Sequence, residues 1–237
     1  MAIKNNIRKT LINISGYFIY KKRDLPIGVD LKSDLENKFN IRPTCVFDIG
    51  ANYGQTALHY LEDFSGATIY SFEPVSSSYK KLVENTSGIK NIQAFNIAFG
   101  SKKQELEINL FEENNSQLNS LKATNSNPNG KKEKIKVECI DEFVVANKIH
   151  QIDLLKIDTE GFEIDVLIGA NKMLATGKIK AILCETALSK KNTRNTQLSS
   201  LIDLLDKENY FFVGLYETNV NFYKEGLAYS NALFILK

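Results

Sequence analysis

From Thr44 onward the chain alternates between two apolar patterns, and this alternation limits its fold more than any other feature. "TCVFDIG" reads as a buried strand, "QTALHYLEDF" as an amphipathic helix and "ATIYSFEP" as a second strand stopped by Pro74. "SSSYKKLVENT" follows as a second helix, with Ser76 or Ser77 placed to cap it, and "NIQAFNIAFG" as a third strand region. A strand–helix–strand–helix–strand order needs crossover connections. It predicts a parallel sheet with helices on both faces.

The later segments extend that layout. "QELEINLF" alternates as a half-exposed strand, and "IKVECIDEFV" starts as a strand and turns helical after Asp141. The stretch between them, residues 112–134, is rich in Asn, Ser and Lys and predicts a long hairpin loop. It is either a surface loop or a lid, and Leu118 and Leu121 keep the lid reading open. "IDLLKIDTEG" resumes the buried strands, "FEIDVLIGANKML" reads as one helix and "KAILCET" as a fifth strand. "TQLSSLIDLLDKENY" is an amphipathic helix, and "YFFVGLYE" and "NALFILK" close the chain as an antiparallel pair.

A length of 237 residues suits one large α/β domain. We place it at residues 41–237, behind a helical extension over residues 1–40. In that extension Ile3, Ile7, Leu11, Ile14 and Phe18 form a helical stripe, with Lys4, Arg8, Lys9, Lys21, Lys22 and Arg23 around it. Such a helix either packs on its own domain or touches a membrane surface or a second subunit. No apolar run reaches the length of a membrane span. The net charge of +2 gives no reason to expect a nucleic-acid partner. Cys45, Cys139 and Cys184 show no ligand spacing and read as reduced core thiols, which points to the cytoplasm.

The chemistry begins at "CVFDIGANYGQT". Gly50 and Gly54 allow a tight turn and a close backbone approach at a helix start, at the carboxyl end of the first strand. Glu73 ends the second strand, where an acid accepts hydrogen bonds from the hydroxyls of an adenosine ribose. A nicotinamide-binding turn usually has three glycines, but here Asn52 and Gln55 hold the second and third positions. Asp48 at the strand end would repel a pyrophosphate and attract a cation. The pattern therefore favours S-adenosylmethionine, with its sulfonium and ammonium groups, over NAD. An NAD-linked oxidoreductase on a similar sheet is the alternative.

"VFDIGANYGQTA", "YSFEP", "NIAFGS" and "LLKIDTEGFEIDVLIGA" together resemble the motifs of the FkbM family of S-adenosylmethionine-dependent methyltransferases. The resemblance runs from Val46 to Lys237 in order and spacing. It implies a Rossmann-like class I methyltransferase fold: a mostly parallel seven-stranded sheet with one antiparallel strand. It also implies O-methylation, commonly of a sugar hydroxyl in a bacterial glycan, glycolipid or nucleotide-sugar pathway, or of a small natural product. The donor site it implies comprises Asp48, Gly50, Asn52, Gly54, Gln55, Thr56, Glu73, Pro74 and Asn96.

The carboxylates of "KIDTEGFE" stand beside that site. Asp158 ends the fourth strand at the point where strand order reverses, and Glu185 ends the fifth on the same rim. Glu160 and Glu163 lie three apart, on one face if the helix begins there. Deprotonating a hydroxyl needs a base within hydrogen-bond reach, so Asp158 or Glu160, and next Glu185, are the catalytic candidates. The same three acids are also the candidate ligands for a divalent cation that would acidify the acceptor. For Glu163 we expect a lysine partner, and for Glu160 the alternative is a helix cap. His59 and His150 read as surface or packing residues. Lys190, Lys191 and Arg194 form a basic run that either is solvated or holds an acceptor phosphate.

Overall fold

The computed structural model describes residues 10, 12–17, 20–21, 24–110, 132–219, 226 and 228–237. Most of the N-terminal stripe and nearly all of the predicted hairpin loop, with Leu118 and Leu121, lie outside the described residues. No helix among the described residues is long and apolar enough to cross a membrane.

Seven strands form the main sheet: β1 (Cys45–Ile49), β2 (Thr68–Phe72), β3 (Ile92–Phe95), β7 (Ile152–Ile157), β8 (Ile179–Ala187), β9 (Tyr210–Tyr216) and β10 (Tyr229–Leu236). Their order is β3-β2-β1-β7-β8-β10-β9, parallel from β3 to β8, with β10 antiparallel to both neighbours. The order of strand addition reverses between the parallel neighbours β1 and β7, which opens a crevice at the strands' carboxyl ends. The third strand region divides. Ile92–Phe95 stays in the main sheet, while β4 (Ala98–Phe99) joins β5 (Gln104–Asn109) and β6 (Lys132–Glu138) in a second, three-stranded sheet.

The helices in chain order are α1 (Leu31–Asn37), α2 (Gln55–Asp63), α3 (Ser76–Asn85), α4 (Ile140–Ala146), α5 (Glu163–Ile168), α6 (Asn171–Ala175) and α7 (Leu198–Leu205). The single helix expected over "FEIDVLIGANKML" is two short ones, parted at Gly169, where a Cβ would lie 2.1 Å from the Gly100 carbonyl oxygen. Neither serine caps α3. Val75 holds the cap position, and the Ser76 N–H and hydroxyl both donate to Glu133 of β6 instead.

Strand alternation assigns the two faces. Phe47 and Ile49 of β1 join the core under α4–α7, whereas Val46 and Leu154 join the core with Leu35 of α1, Ile41, and Ala57 and Tyr60 of α2. Parity therefore places Asp48 and Lys156, which are register partners across β1 and β7, on the α1–α2 side. Leu35 is fully buried there, so residues from Leu31 onward pack against the same strands as the rest of the chain.

Candidate functional site

The glycine turn is dictated by crowding between β1 and β7. Gly50 has φ +81°, and a Cβ there would lie 1.9 Å from the Asp158 carbonyl oxygen. The Asp158 N–H donates to the Ile49 carbonyl at 3.0 Å, so the donor turn and the first candidate base are joined through backbone. Asn52 is left-handed at φ +47°, and Gly54 begins α2 at φ +88°.

Glu73 is buried just beyond β2. Its Oε2 accepts from the Asn52 N–H at 3.0 Å and its Oε1 from the Val75 N–H at 2.9 Å. A carboxylate has about four lone-pair sites, so capacity remains for a diol. Burial pushes Glu73 up to about 7, against the pull of those two N–H groups. The unfolded chain ionises it near 4.3. Between about pH 4.3 and about pH 7 the folded state thus holds more protons, and stability falls as pH rises. The melting temperature of the ligand-free protein should drop across this window, and drop less in Glu73→Gln. Scanning calorimetry at several pH values checks both, and a rise in the wild type would contradict the assignment.

A cavity of about 730 Å³ joins the turn to the carboxylates. Gly50, Asn52, Gln55, Thr56, Glu73 and Pro74 line its donor end, as the sequence indicates. Three candidates stand outside the lining. Gly54 shapes the turn. Asn96 braces the loop after β2 by donating to the Glu73 and Pro74 carbonyls, both at 2.9 Å. Asp48 is fully buried and faces Lys156, whose Nζ is 3.2 Å from its Oδ1. The sequence predicts a cationic ligand for Asp48; strand parity gives it a cationic side chain.

Lys156 also reaches Asp158 Oδ2 at 3.3 Å and lines the cavity, though 5% exposed. Burial alone would lower its pKa, but Asp48 and Asp158 raise it overall. Asp48 is itself raised, by burial first, and among the described residues neither of its oxygens accepts an aligned hydrogen bond.

Asp158, Glu160 and Glu185 do converge, each offering an oxygen within 4.8 Å of the others. Glu160 is not on a helix face, because α5 begins only at Glu163. It sits left-handed at φ +55° and pairs with Arg194. Arg194 therefore faces into the cavity and is not a free rim cation, while Lys190 and Lys191 are exposed and outside the lining. Glu185 accepts from Asn195 Nδ2. Burial raises the pKa of Glu160 and of Glu185, and the neighbouring acids raise both further. Among the described residues Glu163 has no lysine partner. It is fully buried and accepts from the N–H groups of Thr159 and Gly161 and from the hydroxyls of Thr159 and Thr196, so it fixes the turn that carries Asp158 and Glu160. His59 is exposed beside Asp63, and His150 is exposed.

The family described as "Methyltransferase FkbM domain" matches residues 48–212, well over half of the chain. The chain belongs to the FkbM methyltransferase family. Members of this family are S-adenosylmethionine-dependent methyltransferases. The crystal structure of Methyltransferase FkbM from Methylobacillus flagellatus KT shares the fold at 15% identity and a TM-score of 0.53. The match covers 82% of this chain and 44% of that one, so the chain spans less than half the length of this FkbM relative. The Burkholderia thailandensis 1,6-didemethyltoxoflavin-N1-methyltransferase, solved with S-adenosylhomocysteine, gives 13% identity and a TM-score of 0.47 over 87% of this chain and 76% of that one. No curated protein matches the sequence.

The residues present fit the FkbM family's donor. Glu73 has lone pairs available, acids surround the middle of the cavity, and the lining cations Lys156 and Arg194 are both paired with carboxylates. Ile97, Ala98, Phe99 and Val75 add an apolar wall beside Phe72, whose ring meets Phe99 edge-on at 4.7 Å. The wall's Ala98 and Phe99 went unread in the sequence because they lie on the strand that leaves the main sheet.

Proposed function

We propose that this chain transfers the methyl group of S-adenosylmethionine to a hydroxyl of a sugar in a bacterial glycan, glycolipid or nucleotide-sugar pathway. The observation that carries this reading is the single cavity that joins the glycine turn and Glu73 to three converging carboxylates. The bound donor supplies an electrophilic methyl group. Glu73 would accept hydrogen bonds from the ribose hydroxyls, and the apolar wall of Val75, Ile97, Ala98 and Phe99 would lie against the adenine. Asp158 would take the proton of the acceptor hydroxyl as the new C–O bond forms and the methyl–sulfur bond breaks, with S-adenosylhomocysteine leaving. It is the choice because Lys156 engages only its Oδ2, whereas Arg194 and Asn195 engage both oxygens of Glu160, and because its side chain is 34% exposed against 16% for Glu160. Holding the acceptor oxygen in line with the methyl carbon provides much of the remaining rate.

Calorimetry with the donor tests the first half. Glu73→Ala should weaken binding by about 1.5–3 kcal/mol, on the order of 10- to 150-fold. Unchanged affinity would remove Glu73 from the site, and absent binding by the wild type would end the proposal. Mass spectrometry of glycans from cells with and without the protein tests the second half, where a difference of one methyl on a sugar oxygen is expected.

A further inference from the structure

The cavity has a second polar wall, remote from the donor turn, that neither the motifs nor the family assigns. Tyr229 and Asn231 lie two apart on β10 and line it from one face of the strand. Asn231 is the register partner of Glu185 on β8, so the wall continues directly from the reacting carboxylates. Glu217 completes it just beyond β9.

Two features set this wall apart from ordinary surface. Asn231 Nδ2 donates to Glu217 Oε2 at 2.8 Å. Because a carboxylate only accepts, this bond fixes the amide's orientation. The Asn231 Oδ1 is buried and accepts nothing among the described residues. A desolvated carbonyl oxygen of this kind is satisfied when a donor arrives. Glu217 also holds a left-handed backbone at φ +52°, a conformation that is strained for a glutamate and concentrates at binding sites. Together with Glu160, it is one of two glutamates in this conformation lining the same cavity.

The charge of the wall decides what it takes. Glu160, Glu185 and Glu217 line the cavity here, and among the described residues its lining cations, Lys156 and Arg194, are both paired with carboxylates. An acidic group beside the reacting hydroxyl would meet repulsion. A hydroxyl donates to Asn231 Oδ1 and to a carboxylate without penalty. The Tyr229 ring gives such an acceptor an apolar surface to lie against.

We propose that Glu217, Tyr229 and Asn231 form the acceptor-specificity wall, which takes an uncharged sugar ring by its hydroxyls and rejects rings carrying an acidic group. This rests on the reading of the cavity as a methyl-transfer site. Any phosphate of a nucleotide-linked acceptor must then lie away from this wall.

The test follows release of S-adenosylhomocysteine with the full chain. The probes are methyl glycosides of glucose, galactose, mannose and rhamnose, with methyl glucuronide and methyl galacturonide as acidic counterparts. At least one neutral glycoside should turn over in preference to the acidic ones. Asn231→Leu should raise its KM by about tenfold. Glu217→Lys should improve use of the acidic glycosides by a similar factor. Both variants should bind S-adenosylmethionine as the wild type does, which also shows that they fold. Donor binding with no turnover of any neutral glycoside, a preference for the acidic ones, or an unchanged KM in Asn231→Leu would overturn the wall alone. Failure of the wild type to bind the donor would overturn the proposed function and the wall with it.

Discussion

Asp158→Asn should lower kcat by about 10²- to 10⁴-fold, the usual contribution of a positioned proton acceptor. The amide keeps the size and the turn but cannot take the acceptor's proton. Donor affinity should change little, since Glu73 and the glycine turn are untouched and the Asp158 backbone still meets Ile49 and Gly50. The contrast with Glu160→Gln sharpens the test. That variant removes the partner of Arg194 and should act more through acceptor KM than through kcat. Single-turnover rates of methyl transfer for both variants decide between them. Equal kcat in wild type and Asp158→Asn would exclude Asp158 as the base.

Lys156→Met should be the most destabilising single change near the site. It leaves Asp48 fully buried without its cation, and breaking a buried pair on one side costs about 3–5 kcal/mol. For a domain of this size that is a fall in melting temperature of roughly 6–20 °C. The loss should shrink at lower pH, because Asp48, already raised by burial, then takes a proton and carries no charge. Asp48→Asn in the same background should recover part of the stability, since an amide needs no counter-charge. A single variant that melts within about 2 °C of wild type would show the pair to be stabilised by other means. Donor affinity measured beside the melts separates folding from function.

The fold was readable because its signals are local. Helical and strand periods, and the acids at strand ends, need only a few neighbouring residues, and they put Glu73, Asp158 and Glu185 on one rim. What stayed hidden depends on register. Lys156 sits among "LLKID" as one charge in an apolar run, a sign that it needs a buried partner. That the partner is Asp48 follows only from the pairing of β1 with β7. Glu163 read as the partner of a lysine because its hydrogen-bond donors include a threonine 33 residues away, at position 196. Asn231 and Glu217 meet the site through two antiparallel pairings that no short motif encodes. The division of "NIQAFNIAFG" between two sheets was hidden for the same reason, since both halves have the same apolar character.

The backbone contact between Gly50 and the Asp158 carbonyl has a consequence for how such a protein diversifies. The donor turn and the proposed proton acceptor cannot drift independently, because a side chain added at Gly50 would displace the Asp158 backbone. Tyr229, Asn231 and Glu217 share no such contact with the turn. If these three residues choose the acceptor as proposed, selection can redraw the list of accepted molecules by changes along β10 and the end of β9, while the machinery that handles the methyl group is inherited as one piece.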